Sequence, residues 1–396
     1  MGANASGKSN ILKIFKYIKF LLADSWILSK EIQNQQVQPN QTVPFPLIIK
    51  PFVLSTDPVI LNKPSAIEIA FELNSTLFTY AISIKNEIIQ EETLTSTKAN
   101  KTVIYFKRKL SASQDILKVE IDNLVNKHDQ WDFHRKLNNK NSFMHTYYDV
   151  LLDYSIKSNK KTQEVIDTFK NKLDYELFFN FWSRSIINIP QVEINKSLTT
   201  SNWELFAFRF YDNPQNILYK QKARDYISRL DTSVNNFFTE KYSNPVFGDQ
   251  FRIDFTINKD GTDFRLNYAD MSSGTKSLLL LLGAWFFALD NNLPIILDNF
   301  DSDLHPDIIS ELIDHFCSYD NPPSNSQLII AGHAYTLLNQ LDKYLHYFTN
   351  KNNEQETILF RLSDYKTVEH QVSPRTDDNY YKKYRSGNYG AKPYIT

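Results

Sequence analysis

The sequence predicts an α/β fold, and three features lead to that prediction. A glycine-rich segment runs into residues 10–29, where apolar side chains recur at helical spacing. Apolar and polar residues then alternate over 67–73 and 78–84, as in strands, and "TVIYF" (102–106) continues the pattern. Toward the C-terminus, an apolar helix, a short apolar strand, a helix near 307–318 and the strand "QLIIAG" follow one another, which is typical of α/β folds.

Three parts are expected along the chain. Residues 1–110 form an N-terminal lobe with the glycine-rich segment and the strands, and residues 241–396 form a C-terminal lobe. The C-terminal lobe begins with "FRIDFTI" and "FRLNY", joined by the turn "NKDGTD". Residues 111–240 between them are predicted to be a helical insertion. There, apolar residues share helix faces in three groups: Leu117, Ile121, Leu124 and Val125; Val165, Phe169, Leu173 and Leu177; and Ile227, Leu230, Val234 and Phe237.

Composition narrows the class of protein. The chain has 396 residues, of which 42% are hydrophobic, so it can bury a sizeable core. A formal net charge of −1 gives no overall attraction to nucleic acid or anionic lipid, so any such surface must be a local patch. The longest apolar run, residues 278–289, is shorter than the roughly 20 residues that span a bilayer. One cysteine, Cys317, excludes an internal disulfide, and we expect a cytoplasmic protein without a membrane partner.

Residues 2–10, "GANASGKSN", fit the phosphate-binding P-loop pattern G-x-x-x-x-G-K-[ST] at every fixed position. The two glycines let the backbone wrap around phosphates, with N–H groups pointing inward at the start of a helix. The lysine can reach the β- and γ-phosphates, and the serine hydroxyl can bind Mg²⁺. We therefore expect ATP to contact Gly2, Asn4, Ser6, Gly7, Lys8, Ser9 and Asn10.

Two alternatives stay open for this segment. A Gly/Ser turn that only caps the following helix would show a similar pattern. In addition, a P-loop normally follows a buried strand, and here only Met1 precedes it. Either that strand comes from elsewhere in the chain, or the true start lies upstream of Met1.

A second candidate site follows the apolar stretch "LPIIL". Asp298 ends this strand and is the expected partner of Ser9 in binding Mg²⁺, although an Asp can also simply begin a turn there. In hydrolysing P-loop enzymes the next position usually holds a glutamate that polarises the attacking water. Asn299 occupies it here. An amide can orient a water but cannot take its proton, so we expect slow hydrolysis or none.

Two further segments complete the predicted site. The loop "MSSGT" opens onto an apolar helix about 25 residues before Asp298, so Ser272, Ser273, Gly274 and Thr275 can offer N–H groups and hydroxyls to an anion. An ordinary helix N-cap would look the same. His333 follows the strand "LIIAG", where a neutral imidazole can hydrogen-bond a γ-phosphate or the attacking water. A lone histidine is more often structural, and the other three motifs favour the phosphate sensor.

The order of these motifs resembles that of ABC-type ATPase heads, which include the SMC, RecF and DNA-repair ATPases. More closely, the chain resembles the bacterial AAA/ABC-type ATP-binding proteins of abortive-infection and other antiphage systems. The shared landmarks are "GANASGKSN", "KPFVLS", "SSGTKSLL", "DNFDSDLHP", "AGHAYTLL" and "YRSGNYGAKP". The resemblance implies an ABC/SMC-type P-loop ATPase head with an N-terminal β-lobe and a helical insertion.

The resemblance also implies partners. In such heads, ATP on Lys8 and Ser9 of one subunit is covered by residues 272–274 of another, so ATP joins a homodimer. Residues 302–306, "SDLHP", would lie at that interface. An effector such as a nuclease or toxin would be a separate protein. The chain departs from the group at Asn299, in the absent strand before the P-loop, and at Asn388, where arginine is common.

Two other functions remain possible on sequence grounds. A RecF- or SMC-like ATPase acting directly on DNA would need a basic surface. Three clusters could supply it, namely Lys107, Arg108 and Lys109; Lys157, Lys160 and Lys161; and Lys382, Lys383 and Arg385. Such clusters are also common on ordinary solvated faces. An inactive structural remnant would fit the substituted site and would not bind ATP.

Overall fold

The computed structural model describes residues 1–2, 6–25, 59, 62–110, 117–120, 135–138, 140–158, 175–188, 207, 210–231, 233–244, 248–318, 325–366 and 373–390. The chain divides into two compact units, one of Met1–Lys13 with Ile186–Thr396 and the other of Ile14–Ser185. The division falls within helix α1, Lys8–Lys19. The three parts suggested by the sequence have other boundaries, and that division stays a prediction.

The unit Ile14–Ser185 contains a five-stranded antiparallel sheet in which the strands follow chain order. These strands are β1 (Ser65–Leu73), β2 (Thr76–Lys85), β3 (Ile88–Lys98), β4 (Lys101–Leu110) and β5 (Leu117–Glu120). Tight two-residue turns join the first four. Both residues of each turn have positive φ, as the twist of a tight hairpin requires: Asn74 and Ser75, Asn86 and Glu87, and Ala99 and Asn100.

Helices pack on this sheet through aromatic side chains. A π-helix, Phe20–Asp24, follows α1, and the other helices of this unit are α2 (Phe143–Ser158) and α3 (Tyr175–Arg184). The ring of Phe71 on β1 lies 5.7 Å from that of Phe78 on β2 and 5.1 Å, edge-on, from that of Trp182 on α3. Such aromatic contacts stabilise a core beyond simple burial of area.

The other unit contains a parallel sheet with the order β11-β10-β6. Its strands are β6 (Ile186–Asn188), β10 (Ile295–Asp298) and β11 (Leu328–Ala331). All four residues of β10 are buried, as expected for the central strand of a parallel sheet. Asp298 pairs with Ala331 in the register of β10 and β11. The segments that follow these two strands therefore leave the sheet at the same edge.

Further elements surround this sheet in the same unit. They include an antiparallel sheet of β7 (Val234–Asn244), β8 (Gly248–Lys259) and β9 (Thr262–Asn267), and a hairpin of β12 (Tyr347–Lys351) and β13 (Thr357–Arg361). The helices are α4 (Ile217–Leu230), α5 (Ser273–Asp290), α6 (Pro306–Cys317), α7 (Leu337–Gln340) and α8 (Tyr380–Arg385). Short 3₁₀ turns occur at Pro214–Asn216, Tyr268–Asp270, Lys343–Leu345 and Leu362–Asp364.

The prediction that residues 111–240 are a helical insertion is wrong in three places, one of which is strand β6, Ile186–Asn188. Residues 117–120 form strand β5, because they pair with the edge of β4, beginning at Leu110 and Leu117. Helix α4 ends at Leu230, and Val234 begins β7 after Asp231 takes an extended conformation. At β5 and β7, pairing with a neighbouring strand overrides a short helical pattern. Val165, Phe169 and Leu173 lie outside the described residues.

The α/β class predicted from the sequence is confirmed. The predicted strands in β1, β2 and β4, the hairpin of β8 and β9, the apolar helix α5 and the strand ending at Asp298 are all present. The segment "KPFVLS" (50–55) is outside the described residues. Within the described part of the chain, each helix is too short or too polar to traverse a lipid bilayer.

Candidate functional site

The P-loop ends at the first turn of α1. This helix begins at Lys8, and the N–H of Ile11 donates to the carbonyl of Gly7 at 3.1 Å. The N–H groups of a first helical turn have no partner within the helix, and the helix dipole favours negative charge there. Ser9 and Asn10 lie in this turn, so the local geometry suits a phosphate group. Asn4 lies outside the described residues.

Strand β12 supports the start of the P-loop. The N–H of Thr349 donates to the carbonyl of Met1 at 2.8 Å, and Gly2 and Thr349 form a parallel β-bridge. The hydroxyls of Ser6 and Thr349 are 2.5 Å apart and buried. A single residue on β12 therefore holds both the beginning and the middle of the loop.

The two glycines of the loop lie where a side chain would not fit. A Cβ on Gly2 would overlap the Thr349 hydroxyl, and a Cβ on Gly7 would overlap the hydroxyl of Thr357 on β13. Gly7 also has φ of 101°, a conformation that residues with side chains rarely adopt. Close packing on the β12–β13 hairpin therefore requires glycine at both positions.

Lys8 lies between the P-loop backbone and two carboxylates. Its Nζ donates to the carbonyl of Gly2 at 2.8 Å. Burial lowers the pKa of Lys8, while the nearby Asp298 and Asp301 carboxylates act in the opposite direction. The structure thus brings together the P-loop lysine and the acidic end of β10, as the sequence predicted.

The carboxylate of Asp298 is buried, yet among the described residues its oxygens lack the hydrogen bonds that a buried carboxylate usually has. The residue is 4% exposed, and in the part of the chain that the structure describes neither of its oxygens has a hydrogen-bond partner. A buried charge without partners is costly, and proteins normally pair it or use it to bind a metal. Oxygen ligands are those that Mg²⁺ prefers. The carboxylate of Asp298 and the hydroxyl of Ser9 therefore fit a Mg²⁺ ion bound with nucleotide phosphates.

Asn299 begins a sharp turn after β10. Its φ is 53°, in the left-handed region that asparagine tolerates better than most residues. Its carbonyl accepts the N–H of Ser302 at 3.2 Å, which closes the turn. Asn299 directly follows Asp298 in the chain and is partly buried. Its expected part in hydrolysis stays a prediction.

Asp301 lies close to Asp298 and Asn299 in sequence, and the structure shows what its carboxylate contacts. Its Oδ2 accepts the backbone N–H of His333 at 2.5 Å, and its carboxylate packs against Gly332. It influences the pKa of both Lys8 and His333. The signal in the sequence was an acidic residue three positions after Asp298, but only the parallel pairing of β10 and β11 shows what it contacts.

His333 lies in the segment after β11, partly buried. Burial is the main cause that lowers the pKa of its imidazole, and the charge of Lys8 acts in the same direction, against Asp301 and Asp298. The ring is therefore neutral at pH 7, as a hydrogen-bonding phosphate sensor requires. A cavity of about 560 Å³ adjoins it, lined by Asp301, Leu304, Pro306, Ile309, His333, Ala334, Tyr335, Thr336, Asn339 and Tyr381.

The serine-rich loop caps α5. The hydroxyl of Ser272 accepts the N–H of Thr275 at 3.1 Å, and the hydroxyl of Thr275 donates to Asp231 at 2.6 Å. A Cβ on Gly274 would lie 2.8 Å from the carbonyl of Asp303. Ser272 and Ser273 are exposed. Among the described residues, the side-chain hydrogen bonds of Ser272 and Thr275 lie within the loop or reach Asp231.

One of the three basic clusters considered for a DNA-binding surface does not form an exposed basic patch. The side chain of Arg108 is fully buried and forms an ion pair with Glu92 at 2.5 Å, so residues 107–109 are not a basic surface triad. Lys160 and Lys161 lie outside the described residues. On α8, the ammonium of Lys383 is paired with Asp378 at 2.6 Å. These contacts favour structural roles for Arg108 and Lys383.

Comparison with known proteins gives a family match. The model of the family described as AAA domain, putative AbiEii toxin, Type IV TA system matches residues 1–153 and 152–339. Among curated proteins nothing matches.

Several solved structures are similar at low identity. One chain, from work on ATP-driven dimerization and DNA stimulated activation of SMC ATPases, is 16% identical; the match covers 41% of this chain and 89% of that one, with a TM-score of 0.29. An Smc head bound to the C-winged helix domain of ScpA is 12% identical to this chain. The match covers 92% of this chain and 89% of that one, with a TM-score of 0.38. A Pyrococcus furiosus Smc head bound to the C-terminal domain of ScpA is 11% identical to this chain. The match covers 91% of this chain and 89% of that one, with a TM-score of 0.33. Likeness at this level says nothing about ligands or partners.

Proposed function

Because the chain belongs to the family described as AAA domain, putative AbiEii toxin, Type IV TA system, we propose that it binds ATP with Mg²⁺ and that ATP joins two copies of it. Family membership makes the chain an ATPase of the AAA group. The observation that carries the proposal is the buried carboxylate of Asp298, which has no hydrogen-bond partner among the described residues and acts on the pKa of the P-loop lysine, Lys8.

The P-loop residues each have a task in ATP binding. The N–H groups at the start of α1 hold the phosphates, and the ammonium of Lys8 neutralises their charge. A bound Mg²⁺ would supply positive charge that offsets the negative charge of the phosphates. Ser9 and Asp298 hold it, and Asp298 thereby gains the partner that its buried oxygens lack. His333, with a neutral ring, accepts or donates a hydrogen bond at the third phosphate.

Hydrolysis is proposed to be slow because Asn299 lacks a basic group. Acid–base catalysis contributes a factor of about 10² to 10⁴ in many enzymes, and an amide cannot contribute it by taking a proton. Bound ATP would then persist on the chain for a long time before it is hydrolysed. This property suits a protein whose ATP-bound form is the signal rather than a protein that consumes ATP continuously.

Two copies of the chain would share each ATP. The exposed Ser272 and Ser273 stand at the start of α5, where free N–H groups and hydroxyls can meet an anion. The sequence order and the local cap leave these groups at the helix start, and in the proposed dimer a phosphate on the P-loop of one copy meets them from the second copy. We extend the proposal to a role in antiphage defence, in which the ATP-joined dimer acts on a separately encoded effector.

One experiment tests both binding and dimerisation. The mass of the chain is measured by light scattering with ATP and Mg²⁺, with ADP, and without nucleotide, while bound nucleotide is quantified in parallel. We expect a dimer only with ATP. Ser273→Arg should bind ATP and stay monomeric, because the added side chain blocks the surface that meets the second copy. Thr262→Arg, the same addition at an exposed position at the start of β9, should still dimerise.

The results separate the parts of the proposal. Binding of ATP without a change in mass would refute the dimer and keep the nucleotide site. Absence of ATP binding at millimolar concentration would refute the whole proposal and support an inactive remnant. Steep, salt-dependent binding of DNA by the ATP-free chain would instead favour a protein that acts directly on DNA.

A further inference from the structure

The segments that follow β10 and β11 are joined through one carboxylate. Asp298 and Ala331 are paired at the ends of these parallel strands. Three residues beyond Asp298, the Oδ2 of Asp301 accepts the backbone N–H of His333 at 2.5 Å. The metal-binding end of β10 and the phosphate-sensing end of β11 are therefore connected by a charge-assisted hydrogen bond, a type that is shorter and stronger than neutral ones.

The backbone beside this bond, at Gly332, leaves no room for a side chain. A Cβ on Gly332 would overlap the Oδ1 of Asp301, so the absence of a side chain there lets the carboxylate lie against the backbone. The N–H of Phe300 also donates to the carbonyl of Ala331, at 3.4 Å. The residues that precede Asp301 and His333 thus also hold the two segments together.

Asp301 also lies within electrostatic reach of the phosphate-binding lysine. Its charge acts on Lys8 and on the imidazole of His333, the two groups that would meet the third phosphate of ATP. Its carboxylate forms part of the wall of the cavity that adjoins His333. The residue therefore stands where the presence of that phosphate would be detected.

We propose that Asp301 is a positioning residue for His333: by holding the His333 N–H, it fixes the imidazole where it can distinguish ATP from ADP. This inference rests on the proposed ATP-binding function. It assigns Asp301 an action through His333 and not on the attacking water. The competing role, in which Asp301 takes the proton that Asn299 cannot take, would make its charge and basicity the important properties.

Two substitutions of Asp301 separate these roles. Asp301→Ala removes the acceptor and should release the backbone of His333. Asp301→Asn removes the charge but keeps an oxygen that can accept the same N–H. The readout is the ratio of the dissociation constants of ADP and ATP with Mg²⁺, measured by displacement of a fluorescent ATP analogue. This ratio does not depend on hydrolysis.

We expect Asp301→Ala to lower the ATP preference by about 10-fold, the loss expected when one hydrogen bond to the third phosphate is no longer made. His333→Ala should lower it by the same factor, and the double variant should lower it no further, because the two residues act as one unit. Asp301→Asn should keep most of the preference. Asp342→Asn is the matched control, because Asp342 also accepts a backbone N–H, that of Tyr344 at 3.0 Å, outside the site.

Gly332→Ala provides a test that leaves Asp301 in place. The new methyl group should push the carboxylate away and lower the ATP preference as Asp301→Ala does, whereas in the Asp301→Ala background it should have little further effect. Melting temperatures of all variants show whether a loss comes from unfolding.

Several outcomes would overturn the inference. Additive losses in the double variant would mean that Asp301 does not act through His333. A loss in Asp301→Asn as large as in Asp301→Ala would mean that the charge of Asp301, and not its hold on the His333 N–H, sets the ATP preference. If the wild-type chain binds neither nucleotide, the proposed function fails. If it binds ATP and His333→Ala leaves the preference unchanged, only the positioning role fails.

Discussion

The hydroxyls of Ser6 and Thr349 lie 2.5 Å apart in the interior, and this contact ties the P-loop to strand β12. The same Thr349 donates its N–H to the carbonyl of Met1 and forms a β-bridge with Gly2. A phosphate-binding loop must keep its N–H groups aimed at one point, which requires a rigid support. In this chain that support comes from a hairpin near the opposite end of the sequence.

Replacing Thr349 with valine should therefore weaken both the fold and nucleotide binding. Valine has nearly the same shape but leaves the buried hydroxyl of Ser6 without its partner, at a cost of about 1–3 kcal/mol. We expect a lower melting temperature and several-fold weaker ATP binding by titration calorimetry. Adding Ser6→Ala should restore much of the stability. Thr97→Val, which breaks an exposed contact with Thr102, should change neither quantity measurably.

Asp298→Asn should remove the dependence of ATP binding on Mg²⁺. The wild-type carboxylate is buried without a hydrogen-bond partner in the described residues, and the amide keeps its shape while removing the charge that would hold the metal. The wild type should gain melting temperature with ATP and Mg²⁺, and the variant should gain little. An equal gain in both proteins would show that Asp298 does not bind the metal.

Asn299→Glu should raise the rate of ATP hydrolysis in a single turnover by about 10² to 10⁴. The same change should lower stability by about 1 kcal/mol, because Asn299 has φ of 53° and glutamate tolerates this conformation less well. Asn299→Gln is the matched control, since it has the same length and backbone strain but no base. Fast hydrolysis by the wild type or by the Gln variant would mean that another group takes the proton.

Most residues of the candidate site could be chosen from the sequence because their motifs are local, and their roles in binding nucleotide stay predictions. The P-loop lies within nine consecutive residues, Asp298 ends an uninterrupted apolar strand, and Ser272 directly precedes the helix that it caps. In each case the chemistry and the local structure are set by neighbours in the chain. The resemblance to abortive-infection ATP-binding proteins is likewise confirmed by the family model.

Contacts between distant residues could not be predicted in this way. Thr349 and Asp301 belong to the site because strands pair across the sheet, and no pattern in the sequence sets that pairing. Strand β3, Ile88–Lys98, was also missed, since its run of Glu and Thr gives only a weak alternation of apolar residues. Arg108 was considered as part of a basic surface, because its ion pair with Glu92 forms only when β3 and β4 pair and the sequence does not show that pairing.

Arg108→Met should destabilise the protein strongly. It would leave the carboxylate of Glu92 buried with the hydroxyl of Tyr80 and the N–H of Phe143 as partners but without a counter-charge. Loss of one partner of a buried ion pair typically costs about 3–5 kcal/mol. Lys109→Met, which removes the exposed pair with Glu91 on the same strands, should cost at most about 1 kcal/mol. Urea unfolding followed by circular dichroism measures both, and equal losses would contradict the prediction.

The stability of the chain should fall as the pH drops below about 6.5, in part because of His346. This imidazole is buried, and burial lowers its pKa, while backbone carbonyls of Leu341 and Leu338 act in the opposite direction. The unfolded chain therefore binds a proton at a pH where the folded chain does not. The stability from the neutral ring is present above the unfolded pKa of about 6.5 and is lost as the pH falls from there toward the folded pKa.

His346→Gln should make this fall smaller, because glutamine does not titrate. Urea midpoints at pH 7.5 and pH 5.5 give the difference for each protein. His305→Gln is the control, since His305 is largely exposed at the start of α6. We expect the control to follow the wild type and His346→Gln to lose less stability between the two pH values. The same fall in all three proteins would show that other groups, among them His315 and His333, set the pH dependence.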